Sequence, residues 1–112
     1  MVNDLGSKHW KYQRYSALVL APVILWLLVR IIFRPELSYA EVKQWLTLPA
    51  SSLLLALTIG VLCFHAAIGI QGILEDYVSS HRLQKQLVNL ARWVAVLMSG
   101  CAVCTILFMW TQ

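Results

Sequence analysis

Apolar residues gather in three long runs, roughly 16–33, 50–74 and 87–110, with short polar stretches between them. A helix needs about 20 apolar residues to cross a hydrocarbon layer about 30 Å thick, and each run approaches or exceeds that length. The pattern predicts an all-α integral membrane protein with three transmembrane helices and a short helix in the first loop. That short helix is marked by Ser38-Tyr-Ala-Glu41, the spacing of a capping box. Tyr39, Val42 and Leu46, with Trp45 beside them, form an apolar stripe suited to the membrane interface. Three prolines punctuate the chain: Pro22 removes a backbone donor and bends the first span, Pro35 stops it, and Pro49 suits the first position of the second. The polar stretch 78–86 reads as the loop joining the second and third spans.

Composition agrees with this pattern. The chain is 60% hydrophobic with a mean hydropathy of +0.70, whereas soluble domains are about 45–50% apolar. Too few residues remain outside the three runs to build a soluble catalytic domain. The first run is too long for the core of a cleaved signal peptide and is expected to be retained. Charge then sets an orientation. With the N-terminus inside, Lys8, Lys11, Arg14, Arg82, Lys85 and Arg92 lie on the cytoplasmic side, against Arg30, Arg34 and Lys43 outside. The positive-inside rule favours N-in, C-out, which puts the start of the first span and the end of the second at one face. The basic residues are scattered among acids and apolar runs, so no nucleic acid is expected as a partner. Arg30, near the end of the first span, reads as extending its guanidinium to the interface.

Cys63, Cys101 and Cys104 all fall within apolar runs and read as small hydrophobes. The spacing Cys101-x-x-Cys104 suits redox or zinc chemistry, but no histidine or carboxylate stands nearby. Ser99-Gly100 in the third span would permit a close helix contact.

His65 is the candidate for chemistry. Positions +4, +7 and +11 from it stay on one helical face, so Gly69, Gly72 and Asp76 line up with the imidazole. If Asp76, about 16 Å along the axis, marks the edge of the hydrocarbon, His65 lies near mid-membrane. An ionisable group there is costly without a partner. The residues alone leave two readings: a hydrogen bond to a carbonyl of a neighbouring helix, or ligation of haem iron with the second axial side chain supplied by another polypeptide. At the end of the span, Asp76 and Tyr77 also admit two readings. Tyr77 is an interfacial aromatic with Asp76 paired to Arg14 or Arg82, or these side chains surround a pocket that holds a haem propionate and a quinone head group.

Arg14-x-Ser16-Ala17, together with His65 followed eleven residues later by Asp76-Tyr77-Val78, resembles the hydrophobic membrane anchor subunits of bacterial succinate dehydrogenase, respiratory complex II. The likeness runs from Arg14 to the start of the third span, which carries no motif. Where some relatives have bulky aromatics between the histidine and Asp-Tyr, this chain has Ala67 and Gly72. The resemblance implies a multi-pass protein of the bacterial inner membrane, inactive alone, in a complex with a companion cytochrome b subunit, an iron–sulfur subunit and a flavoprotein subunit. It implies that His65 is one axial ligand of a shared haem b iron and that Arg14 approaches a haem propionate. It further implies that Tyr77 hydrogen-bonds a ubiquinone carbonyl and that Asp76, or its neighbour Glu75, joins the adjoining network. Two alternatives are an anchor of a quinol:fumarate reductase and a structural or transporter-like three-helix protein with His65 as interhelical glue.

Overall fold

The computed structural model describes residues 2–34 and 38–112, with side chains from Lys8 onward in the first segment. Its elements are α1 (Val2–Ile32), α2 (Tyr39–Thr47), α3 (Pro49–Tyr77) and α4 (His81–Trp110), with no strand among the described residues. Three helices are long and apolar enough to cross a membrane: α3, α4 and the part of α1 from Lys8 to Ile32. Pro35, read as the stop of the first span, lies outside the described residues.

The helix ends show where local chemistry governs. The capping box forms as the spacing predicts: the Ser38 backbone N–H donates to Glu41 Oε2 at 3.0 Å, and the Glu41 N–H returns a bond to Ser38 Oγ at 3.3 Å. Those bonds from Ser38, backbone first and hydroxyl second, hold the exposed Glu41 carboxyl below its usual range. Val42, Trp45 and Leu46 turn partly inward, and Trp45 meets Trp26 of α1 at 6.2 Å between ring centroids. Tyr39 departs from the expected stripe and stands 82% exposed. Pro49 opens α3 with Leu48 before it. The connection to α4 is far shorter than stretch 78–86, because Ser80 caps α4 by accepting from the Leu83 N–H. The residues after Ser80 are good helix formers and continue straight into the third span.

α3 is the hub on which α1, α2 and α4 each pack. The bundle is inside-out by the standards of a soluble protein. Among the described residues, the buried polar side chains of Ser16, Ser52, Thr58 and Gln71 outnumber the buried hydrophobic ones of Leu20, Val88 and Ile106, while most Leu, Ile, Val, Phe and Trp side chains face out. The accessible surface is 8812 Å², against about 6,200 Å² for a globular monomer of this mass. Helices in lipid associate through small and polar contacts because apolar faces gain nothing from pairing there. At one end of the bundle, Ser52 follows that rule: its hydroxyl donates to the Leu46 carbonyl and accepts from Trp110 Nε1 at 3.0 Å, joining α2, α3 and α4. Arg30 stacks over Trp26 at 5.3 Å and remains exposed, as an interfacial arginine does.

One small-residue expectation fails inside this chain. Gly100 is exposed, and a Cβ added to it would meet nothing within 4 Å, because Ser99 faces the bundle and Gly100 lies about 100° further round. Cys101 and Cys104 likewise point outward, while Cys63 is half-buried.

Candidate functional site

α1 runs antiparallel to α3, and their contacts fix the register. Ser16 lies level with His65, and His9 lies level with Gln71. The expected common face of the first span's start and the second span's end is therefore present within the bundle.

At the His65 level, Ser16 Oγ sits 2.7 Å from His65 Nδ1 and donates to the Gln13 carbonyl at 2.9 Å. Ser16 is buried and the imidazole is half-buried. His65 thus does make an interhelical hydrogen bond, but to a hydroxyl and through one ring nitrogen. Among the described residues the other nitrogen, Nε2, has no partner. One turn along, a Cβ on Gly69 would stand 3.3 Å from Gln13 Nε2, so α1 itself fills that notch. Gly72 is different, exposed with nothing within 4 Å. Gln13 Oε1 is buried without a hydrogen-bond partner. Tyr12 closes this side edge-on against Phe64, 6.5 Å between centroids.

About 9 Å further along α3 lies a polar knot that the sequence motifs do not mark. Gln71 Nε2 donates to Glu75 Oε1 at 2.7 Å and contacts His9 Nε2 at 3.3 Å, while Gln71 Oε1 accepts from Arg92 at 2.9 Å. One buried amide thereby ties α1, α3 and α4 together. The available signal was Gln71 itself, a single amide in an otherwise apolar run. The knot caps an apolar cavity of about 670 Å³ whose walls include Gly60, Cys63, Phe64, Ala67 and Val96.

Asp76 and Tyr77 occupy the end of α3, both exposed, Tyr77 at 85%. Arg14 lies two positions from Ser16 and rests its guanidinium 4.3 Å over the Trp10 ring, and among the described residues Asp76 makes an ion pair with neither Arg14 nor Arg82. The register puts Arg14 with His65, about 15 Å along the axis from Tyr77. The chain therefore presents two stations at different depths, one at the level of His65 and one at Asp76 and Tyr77; Arg14 shares the depth of His65 but lies about 200° round α1 from Ser16. Among the described residues no group of three or more His, Cys, Asp or Glu could hold a metal ion.

With its polar groups turned inward and its apolar groups outward on three long helices, the chain is a multi-pass membrane protein. The family model of the succinate dehydrogenase/fumarate reductase transmembrane subunit matches residues 1–108. The succinate dehydrogenase hydrophobic membrane anchor subunit of Rickettsia felis is 30% identical over 83 residues, covering 74% of this chain and 69% of that protein. The succinate dehydrogenase membrane anchor subunit of Reclinomonas americana is 33% identical over 107 residues, covering 92% and 89%. The succinate dehydrogenase hydrophobic membrane anchor subunit of Rickettsia prowazekii is 26% identical over 93 residues, covering 82% and 74%. No solved structure matches the chain. The chain belongs to the succinate dehydrogenase/fumarate reductase transmembrane subunit family, as a membrane anchor subunit of succinate dehydrogenase.

Proposed function

We propose that this anchor shares a haem b with a companion cytochrome b subunit, through His65 as one axial ligand of the iron, and contributes Tyr77 and Asp76 to a ubiquinone-reduction site. The observation that carries the reading is the state of His65. Its ring is tied across the bundle by Nδ1 to Ser16, while Nε2 has no partner among the described residues. The surroundings fit a large flat ligand: Gly72, on the His65 face, leaves an open notch that no side chain of the described residues fills. This chain offers one ligand, so the second comes from the companion subunit.

Bound haem would supply a one-electron store and relay in the low-dielectric interior. The chain's own residues hold and orient. His65 contributes a nitrogen lone pair, and Arg14 can leave Trp10 to pair with a propionate through its planar fork. At the other station the Tyr77 phenol donates a hydrogen bond to a quinone carbonyl, and the Asp76 carboxylate passes on a proton taken up as the quinone is reduced. The exposure of both residues suits a site completed by neighbouring subunits. With the N-terminus in the cytoplasm, that end of the bundle meets the iron–sulfur subunit, which a flavoprotein subunit supplies with electrons from succinate. α2 then lies along the opposite interface of a bacterial inner membrane.

The test uses the complex purified in mild detergent. His65→Leu is expected to abolish the axial-ligand signature of the b-type spectrum, and an unaltered signature refutes the haem assignment. Tyr77→Phe removes one hydrogen bond of roughly 1.4 kcal/mol, so quinone reduction should fall about tenfold. Electron transfer from succinate to a soluble dye should stay intact; equal losses in both assays would remove Tyr77 from the quinone site.

A further inference from the structure

We propose that Ser16 is a positioning residue for the ligating ring: its hydroxyl fixes His65 as the Nδ1–H tautomer, leaves the Nε2 lone pair for iron, and sets how strongly that nitrogen donates. This rests on the assignment of His65 as an axial ligand and gives a role to a side chain that the family resemblance leaves without one.

Ser16 has one hydroxyl hydrogen and two close neighbours, the Gln13 carbonyl at 2.9 Å and His65 Nδ1 at 2.7 Å. A carbonyl can only accept, whereas Nδ1 can donate or accept, so both contacts are hydrogen bonds only when the hydroxyl hydrogen goes to Gln13. The contact to His65 must then be made by a hydrogen on the ring, with Ser16 Oγ accepting. A neutral imidazole carries one N–H, so its placement on Nδ1 leaves Nε2 unprotonated. Water does not substitute for either partner, since Ser16 is only 6% exposed. Donation of the Ser16 hydrogen to Gln13 also polarises Oγ and makes it the better acceptor.

The electronic effect follows from the direction of that bond. A ring N–H held by an acceptor makes the opposite nitrogen more basic. A more basic ligand favours the oxidised iron and lowers the midpoint potential. Ser16→Ala keeps α1 helical but removes the acceptor; Ser16→Thr keeps a hydroxyl that can bond the same preceding carbonyl; Ser16→Cys keeps nearly the same volume with a weaker acceptor.

The experiment is a redox titration of the haem in the purified complex, with electron paramagnetic resonance of the oxidised form. Ser16→Ala should raise the midpoint potential by up to the equivalent of a tenfold change in the oxidised-to-reduced ratio, about 59 mV for one electron. It should also shift the low-spin resonance as the ring loses its fixed plane. Ser16→Thr should restore both, and Ser16→Cys should move both in the alanine direction by less. If the alanine complex fails to assemble, the cysteine complex gives the reading. An unchanged or lowered potential in these variants, with the ligand signature still lost in His65→Leu, overturns the role of Ser16 and leaves the haem assignment standing. A signature that survives His65→Leu overturns the assignment itself.

Discussion

Gly69 and Gly72 share the His65 face, yet they do opposite jobs. The first receives Gln13 from α1 and the second faces open space. Gly69→Leu should therefore wedge α1 away from α3, with an overpacking cost of about 1–3 kcal/mol, and break the Ser16–His65 bond. Gly72→Leu should leave the chain's own packing untouched and lower the haem-to-protein ratio of the purified complex, because its side chain enters the space left for a ligand. Equal haem content in the Gly72 variant and the parent would show that haem does not occupy that notch. The periodicity of α3 made the alignment of His65, Gly69, Gly72 and Asp76 legible in the sequence. Which glycine is already filled was not legible, since it depends on the register of Gln13 in another helix. The same register separates Arg14 from Tyr77, two residues that share a membrane face in sequence terms but stand at different depths.

Among the elements, α2 is held by the most local chemistry and is the most completely legible in sequence. Its Ser38–Glu41 box forms as the spacing requires, and Ser38→Ala should cost about 1 kcal/mol of local stability. The sign of its pH dependence follows from Glu41, whose folded-state carboxyl is depressed below its ordinary value of 4.5. A depressed carboxyl contributes stability that is complete above the unfolded value and is lost as pH falls through the folded one. Amide exchange in α2, corrected for intrinsic rates, should stay flat from neutral pH down to about 4.5 and accelerate below it. Ser38→Ala should make that acceleration smaller, because it removes the hydroxyl's share of the depression and leaves the backbone bond. Exchange that accelerates already near neutrality would show that another group controls the element. α4 is less legible: the apolar run locates its membrane portion, but not its start, because the polar residues that follow Ser80 resemble a loop in composition and a helix in propensity.

At the scale of the molecule, the bundle is closed by a few polar joints, not by an oily core. Gln71 is the most connected, serving His9, Glu75 and Arg92 at once. Gln71→Leu should destabilise the assembled complex by about 1–3 kcal/mol, read as faster loss of the anchor on heating in detergent. Combining it with Arg92→Leu should add little more, because the two share one bond; fully additive losses would mean that they act apart. Such joints are hard to foresee, since a sequence displays which polar residues lie in apolar runs but not which of them meet. The joint at the other end imposes an order on biogenesis. The indole of Trp110 reaches back to a hydroxyl at Ser52, so the ribosome must deliver the whole of the third span before that latch can shut. Until then, the first two spans pair only through joints of their own, Ser16–His65 and His9–Gln71, and the Ser52 hydroxyl stands without its indole.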